Sequence, residues 1–317
     1  MPDVGCAGIL VEDTFCGPMA ALPPEGALLA LKDMPIKAGG CAANVAIDLA
    51  KQGVSVDVVG CVGSDTAADV LLKIYALHGV GYSKVVRAEG HNTSRCVILL
   101  VQGQDRRYLY VDGANRAFSI AHIDRDWLSK LKVFYLGGLF VLPGIDSEEL
   151  AELLKFCRAA RVTTVVDVVI PQFLSGMSSL KRLLPLIDVF VPNEDEARAF
   201  TGLTDPLDQL RALEGAGART IIITRGSMGA VASRDGRRWR CGAYQMPVID
   251  PSGSGDAFTS GVIRGLLQGW ELPQTLRYAS AVGASVTRAA GTTDAVFSAR
   301  EAEDFVREHP LTVIDEH

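Results

Sequence analysis

The stretch DPSGSGDAFTSG, residues 250–261, sets small residues between two aspartates and then continues as a helical pattern. The loop at its start has almost no side chain to pack, so its backbone amides are the groups that it offers to a ligand. Gly253, Ser254 and Gly255 would point several N–H groups at one spot, reinforced by the positive end of the helix dipole. The stretch therefore predicts an anion site in which Asp256 can accept a proton, or alternatively a plain turn in which Asp256 caps the helix.

Two common phosphate-binding motifs do not account for this loop. The P-loop pattern G-x-x-x-x-G-K-[ST] occurs nowhere in the sequence, and no lysine follows the glycines. The dinucleotide-binding fingerprint belongs to an early strand–helix–strand unit, whereas this loop lies late in the chain. The loop thus indicates a different class of phosphate site.

On both sides of this loop, apolar runs typical of strands alternate with helical patterns. Strands are predicted at residues 4–11, 55–63, 132–138, 162–168, 188–193, 220–226 and 244–250, and a hairpin at residues 229–242. Helices are predicted at residues 42–53, 66–79, 147–161, 178–187, 194–202 and 257–269. This alternation predicts a largely parallel sheet with crossover helices, whose ligands bind at the carboxyl ends of the strands.

Two excursions interrupt the alternation. Residues 14–37 are broken by prolines and carry one strand-like run at residues 27–34. Residues 91–115 contain two β-rich arms around the polar turn 102–105, which is a hairpin pattern. The two excursions are expected to pair and form a small β flap.

Composition excludes several classes of protein. A net charge of −6 argues against nucleic acid, which calls for a basic surface. No N-terminal segment has the pattern of a signal peptide, and the most apolar stretch, residues 133–145, is too short to span a bilayer. The seven cysteines form no C-x-x-C pair, so neither a zinc site nor a disulfide framework is predicted, and a cytoplasmic location is expected.

Three further groups of residues lie at the ends of predicted strands or before a predicted helix. Gly39 and Gly40 allow close backbone approach before a helix that begins near Asn44. Asn193 and Glu196 follow one strand, and Thr224 and Gly226 follow another. Each group alone has a simpler interpretation. The glycine pair and the Thr224 group can each be a turn, and Asn193 and Glu196 can be solvated residues at a helix end.

Taken in order, these motifs resemble the ribokinase/PfkB family of carbohydrate kinases over nearly the whole chain. The second signature of that family matches residues 250–256, and the first matches residues 39–44. The N-x-x-E motif falls on Asn193 and Glu196, and T-x-G on Thr224 and Gly226. The resemblance implies an α/β, ribokinase-like three-layer fold with a central, mostly parallel sheet flanked by helices, plus a small β lid. It further implies a single kinase domain over residues 1–317, with residues 14–37 and 91–115 as the lid over the sugar site.

The resemblance also implies roles for individual residues. Asp256 would be the catalytic base, and the amides of Gly253, Ser254 and Gly255 would form the anion hole. The substrate-binding residues would be Asp13, Gly39, Gly40 and Asn44, and the nucleotide-binding residues would be Asn193, Glu196, Thr224 and Gly226. Glu196 would help to hold Mg²⁺ with ATP, through water, and Asp250 and Ser252 match a K⁺ site. A homodimer through the lid is a further expectation.

The chain departs from the family pattern in four places. Pro251 and Ser254 replace the usual Thr and Ala, and their small size keeps the loop geometry. Val11 stands where ribokinases have Asn, and Cys41 where they tend to have Lys, so both changes remove polar groups from the sugar site. The leading hypothesis is an ATP-dependent kinase of a small sugar or sugar-like alcohol. The alternatives are a nucleoside kinase of the same fold and a non-catalytic sugar-binding protein.

Overall fold

The fold was analysed in a computed structural model that describes residues 1–104, 106–171 and 176–316. In chain order the described strands are β1 (Val4–Gly8), β2 (Val11–Met19), β3 (Ile36–Gly39), β4 (Val56–Val62), β5 (Gly81–Arg87), β6 (Arg95–Val101), β7 (Arg107–Val111), β8 (Val133–Leu139), β9 (Thr163–Val168), β10 (Val189–Phe190), β11 (Thr220–Thr224), β12 (Ala230–Arg234), β13 (Arg237–Cys241) and β14 (Val313–Glu316).

Helices connect most of these strands. The described α-helices are α1 (Cys41–Lys51), α2 (Thr66–Leu77), α3 (Arg125–Leu128), α4 (Ser147–Ala159), α5 (Glu194–Thr201), α6 (Pro206–Gly215), α7 (Ser254–Gln268), α8 (Leu272–Val286) and α9 (Ala299–Glu308). None of the helices that the structure describes is both long enough and apolar enough to cross a membrane.

The larger sheet has ten strands in the order β14-β13-β12-β11-β10-β9-β8-β1-β4-β5. Strands β5 to β11 along this order pair in parallel, and β12, β13 and β14 extend the sheet with antiparallel pairs. Parallel pairs need crossover connections, which the helices supply. All seven residues of β8 are buried, as expected for a strand that is covered on both faces.

Two apolar clusters cover the two faces of this sheet. One contains residues of α4, α5 and α6, among them Leu154, Phe200 and Leu213. The other contains residues of α1, α2, α7 and α8, among them Val45 and Val262. The protein therefore has three layers, helices–sheet–helices, and the predicted fold class is confirmed.

The smaller sheet, which we call the lid, has the order β3-β2-β6-β7. The hairpin prediction is confirmed, because β6 and β7 pair antiparallel, although residue 105 of the predicted turn lies outside the described residues. The strand predicted at residues 27–34 is wrong: this segment has no regular structure, and β3 pairs with β2 in its place. The proline-rich segment ends at Pro35, which has no N–H to donate to a ladder, and β3 begins at the next residue, Ile36.

Three other sequence predictions need correction. Residues 4–11 contain β1 of the larger sheet and the first residue of β2 of the lid rather than a single strand. The helix predicted at residues 178–187 is replaced by short 3₁₀ segments, of which Leu184–Leu186 contains Pro185, a residue that disrupts α-helix interiors. Residues 244–250, which include Pro247, form no strand, because β14 occupies the edge of β13 instead.

Candidate active site

The glycine loop leads into α7 by a backbone turn that only glycine tolerates. Gly253 is the N-cap of α7 with φ of 77°, and a Cβ there would lie 2.2 Å from the carbonyl oxygen of Thr292. A Cβ on Gly255 would instead meet nothing within 4 Å. The first N–H groups of a helix have no intrahelical acceptor, so the start of α7 offers amides beside open space.

Asp256 does not cap its own helix. The N-cap residue is Gly253, so the alternative in which Asp256 caps the helix is wrong. Instead, Oδ2 of Asp256 accepts a hydrogen bond of 2.8 Å from Nδ2 of Asn44 in α1. Oδ1 of Asn44 in turn accepts a bond of 2.9 Å from the hydroxyl of Thr292. Burial raises the pKa of Asp256, and the hydrogen bonds from Asn44 and Cys41 act in the opposite direction.

The two glycines directly before α1, Gly39 and Gly40, leave no room for a side chain. A Cβ on Gly39 would lie 1.9 Å from Oδ2 of Asp13, and a Cβ on Gly40, at φ of 90°, would lie 2.4 Å from the carbonyl oxygen of Ile9. Asp13 in β2 is only 6% exposed. Burial, with smaller contributions from Glu12 and Asp256, raises the pKa of Asp13 to about 7. Asp13 and the two glycines therefore belong to one cleft with Asp256.

Asn193 and Glu196 form a reciprocal cap at the start of α5. Oδ1 of Asn193 accepts from the Glu196 amide at 2.9 Å, and Oε2 of Glu196 accepts from the Asn193 amide at 2.8 Å. The two residues thus serve as a helix cap in the local structure. Both residues nevertheless line a cavity of about 240 Å³ together with Asp256 and Gly255. Burial raises the pKa of Glu196 to about 7.

A second cavity, of about 400 Å³, lies on the other side of the α7 N-terminus. Thr224, Ser254 and Gly255 line both cavities, and Gly226 lines the larger one. Most of the remaining wall is apolar or weakly polar, including Ala243, Tyr244, Met246, Val248, Phe258 and Ala284. Such a wall suits the flat ring of a nucleobase, with phosphates directed toward the helix N-terminus.

Asp250 and Ser252 also lie together, at the start of the loop. Oδ1 of Asp250 accepts from the Ser252 amide at 2.9 Å, and Oδ2 accepts from the Gly291 amide at 3.1 Å. Asp250 is only 2% exposed, and the Ser252 hydroxyl is buried with no partner among the described residues. A buried carboxylate beside an unpaired hydroxyl fits a small cation.

The sequence did not point to Asp167, which lies in the same cleft. It ends β9 within an apolar run and is 8% exposed. Its carboxylate accepts hydrogen bonds from the Tyr135 hydroxyl at 2.5 Å and from the Gly138 amide at 2.7 Å. Burial raises its pKa well above the ordinary value, and Asp256 adds to the shift. An aspartate within a buried strand pattern was the only available signal.

Comparisons with known proteins point to one family. Residues 9–299 match the sequence profile of the pfkB family carbohydrate kinases. The chain is 27% identical to the ATP-dependent 6-phosphofructokinase of Thermoanaerobacterium thermosaccharolyticum over 80% of each protein. It is 25% identical to the ribokinase of Haemophilus influenzae over 89% of this chain and 91% of the relative.

A solved structure has the same fold. The ribokinase of Arabidopsis thaliana, complexed with ribose and ATP, superposes with a TM-score of 0.82 at 22% identity, covering 96% of this chain and 99% of the other. The family resemblance inferred from the four motifs is therefore confirmed. The chain belongs to the PfkB family of carbohydrate kinases, and its activity is that of an ATP-dependent sugar kinase.

Proposed function

We propose that the protein transfers the γ-phosphoryl group of ATP to a hydroxyl of a small sugar or sugar-like alcohol, with Asp256 as the base. The observation that carries this proposal is the position of the Asp256 carboxylate, in the first turn of α7 beside the open space over Gly255. A carboxylate there can accept the proton of an attacking hydroxyl while the neighbouring amides hold the phosphoryl oxygens. Its raised pKa makes it a stronger base than an ordinary carboxylate.

The acceptor would bind in the cleft between the lid and the starts of α1 and α7. Asp13, buried and without a hydrogen bond from any described residue, is free to accept bonds from two sugar hydroxyls. Gly39 and Gly40 let the substrate approach the backbone, and the Asn44 amide group holds Asp256 in position. The lid hairpin and β3 would cover the sugar, within a single kinase domain that spans residues 1–317.

The nucleotide would bind in the larger cavity with its phosphates at the α7 N-terminus. Thr224 and Gly226 would contact it, and Gly253, Ser254 and Gly255 would supply the anion hole. Bound Mg²⁺ would neutralise phosphate charge, and Asn193 and Glu196 would orient its water ligands from the smaller cavity. K⁺ would bind at Asp250 and Ser252, where the unpaired Ser252 hydroxyl supports a cation.

Two further proposals concern the setting of the enzyme. Strand β7 is exposed along its length and carries Tyr108, Leu109, Tyr110 and Val111, which supports a homodimer formed through the lid. All seven cysteines are free thiols, which supports a cytoplasmic location. Size-exclusion chromatography with light scattering tests the dimer, since a monomer at micromolar concentration would contradict it.

The test of the main proposal is a screen for ATP consumption. The acceptors are pentoses, hexoses, keto-deoxy sugar acids, inositol and nucleosides, with Asp256→Asn as the matched inactive control. Phosphorylation of a sugar-like acceptor by the wild type alone supports the proposal, and a nucleoside as best acceptor would favour a nucleoside kinase. Acceptor binding without ADP formation in any mixture would favour a non-catalytic sugar-binding protein.

A further inference from the structure

Three potential metal ligands meet in the cleft from three separate elements. They are the Sγ of Cys41 at the start of α1, a carboxylate oxygen of Asp167 at the end of β9 and a carboxylate oxygen of Asp256 in α7. These three atoms lie within 4.8 Å of one another. All three residues also line the cavity of about 240 Å³, so an ion from solvent can reach them.

Both carboxylates are held in place by donors outside the cluster. The Tyr135 hydroxyl and the Gly138 amide each donate to one oxygen of Asp167, and Asn44 donates to Oδ2 of Asp256. A carboxylate oxygen has two lone pairs, so an oxygen that accepts one hydrogen bond can still bind a metal. Hydrogen bonds of this kind fix the orientation of carboxylate ligands in metal sites.

Several further carboxyl groups lie around the cluster. After burial, the carboxylates of Asp167, Asp256 and Glu196 are the main groups that raise the pKa of the Cys41 thiol. Asp13 lies close enough to Asp256 for the two carboxylates to repel each other, is 6% exposed and receives no hydrogen bond from the described residues. An unpaired, buried carboxylate beside two others gives an entering dication a favourable potential.

We propose that Cys41, Asp167 and Asp256 bind a thiophilic divalent cation, Zn²⁺ in the first instance, and that this binding inhibits the kinase. The Cys41 thiol, and either carboxyl that is protonated, releases its proton to solvent. One Zn–S bond and two Zn–O bonds form, and water fills the fourth position. Zn–S and Zn–O distances of about 2.3 and 2.0 Å require the three ligand atoms to draw together by roughly 1 Å. A thiolate ligand favours Zn²⁺, whereas Mg²⁺ prefers oxygen ligands alone.

Inhibition follows because an Asp256 carboxylate that binds the metal cannot also accept the proton of the acceptor hydroxyl. This argument rests on the proposed function, in which Asp256 is the base. The acceptor hydroxyl and the metal would also compete, since both must contact the Asp256 carboxylate. Mg²⁺ bound to ATP would not substitute for Zn²⁺ here, because it lacks affinity for the thiolate.

Metal binding can be measured without turnover, by titrating the nucleotide-free protein with Co²⁺. Wild type should show a thiolate-to-cobalt charge-transfer band in the near ultraviolet, and one equivalent of Zn²⁺ should abolish it. Cys41→Ser should lose the band, whereas Cys16→Ser, a buried lid cysteine outside the cluster, should keep it. Absence of the band in wild type, or its persistence in Cys41→Ser, would overturn the proposal.

Inhibition is then measured with free Zn²⁺ set by a metal buffer and MgATP held constant, using the best acceptor from the screen. Raising the acceptor concentration should relieve the inhibition. Asp167→Asn should raise the Zn²⁺ concentration for half-inhibition by about tenfold or more, relative to its own uninhibited rate. Equal sensitivity of wild type and Cys41→Ser would contradict the proposal. If no acceptor is phosphorylated, the proposed function fails, but the Co²⁺ titration still decides the metal site.

Discussion

Two helices begin at glycines in the active-site cleft, and the two junctions differ in what covers them. At α7, the Cβ position of Gly255 faces open space, and the helix amides beside it are accessible to a ligand. At α1, Gly39 lies directly under the Asp13 carboxylate and Gly40 lies against the carbonyl of Ile9. The hydrogen bond from Asn44 to Asp256 links the two helices.

This difference shows that similar glycine motifs can serve opposite charges. The α7 junction leaves positive amide dipoles open, which favours the phosphoryl group. The α1 junction uses its glycines to admit a carboxylate, which favours hydroxyl donors. Under the proposed function, the cleft would therefore have a donor side for phosphate and an acceptor side for sugar, and four experiments can challenge or refine that division.

The largest effect is expected for Asp256→Asn, which acts at the link between the junctions. The amide keeps the size of the side chain but cannot accept the proton, so kcat should fall by roughly 10²–10⁴-fold. Nucleotide affinity should change little, because the helix amides remain. Steady-state kinetics and nucleotide titration measure both quantities. Turnover close to that of the wild type would remove Asp256 from the role of base.

The second experiment compares the two glycines of the α7 junction. Gly255→Val adds a branched side chain where phosphate would bind, so activity should fall by about 10²-fold with little change in Tm. Gly253→Ala is the matched variant: its Cβ would meet the Thr292 carbonyl at a φ of 77°, so its main effect should be a lower Tm. If Gly255→Val unfolds like Gly253→Ala, or keeps full activity, the space over Gly255 is not a ligand site.

The third experiment concerns the acceptor side. Val11 lies two residues before Asp13 in β2 and packs with Phe15, Cys96 and Ile98. Where an asparagine would offer up to two hydrogen bonds of about 0.5–1.5 kcal/mol each, valine offers none. We expect kcat/KM for D-ribose to be roughly one to two decades below that of the best acceptor. Val11→Asn should reduce the difference in kcat/KM between D-ribose and the best acceptor, whereas Val11→Ala should not. If ribose is the best substrate of the wild type, Val11 does not select against it.

The smallest effect is a dependence of stability on pH. Asp13 and Glu196 each have a folded-state pKa near 7, raised by burial. Between about pH 4 and 7 the folded state therefore holds protons that the unfolded state has lost, so the unfolding free energy falls as pH rises through this window. Tm should drop by a few degrees from pH 5.5 to pH 8, and less so in Asp13→Asn. The exposed control Glu89→Gln should follow the wild type; an equal drop in Asp13→Asn would show that Asp13 does not carry the effect.

The sheet was predictable because its strands are buried on both faces. Such strands read as continuous apolar runs, and β8 and β11 are examples. The same property led to a wrong prediction at residues 4–11, where one apolar run contains β1 and the start of β2, with Ile9 and Leu10 between them. A run of apolar residues cannot show which of two sheets each part will join.

The strands of the lid were harder to predict, because several apolar residues in and near the lid are exposed. Leu28 belongs to the strand-like run at residues 27–34, yet it is 90% exposed, and the pairing position is taken by β3. In the site, the predicted residues could be found because each belongs to a local motif. Asp167 could not, since its role depends on the distance to Asp256 and Cys41, which only the tertiary structure provides.

The contacts of the glycines also affect how variants and related sequences should be interpreted. A Cβ at position 39, 40 or 253 collides with a carboxylate or a carbonyl of the protein itself, so loss of those glycines disturbs the structure around the cleft even when no ligand is bound. A side chain at position 255 collides with nothing in the protein, so its loss is compatible with an intact fold. A relative that keeps the first three glycines but not the fourth is expected to be a folded protein that has given up phosphoryl transfer. Position 255 is therefore the one to inspect when active enzymes are to be distinguished from inactive descendants.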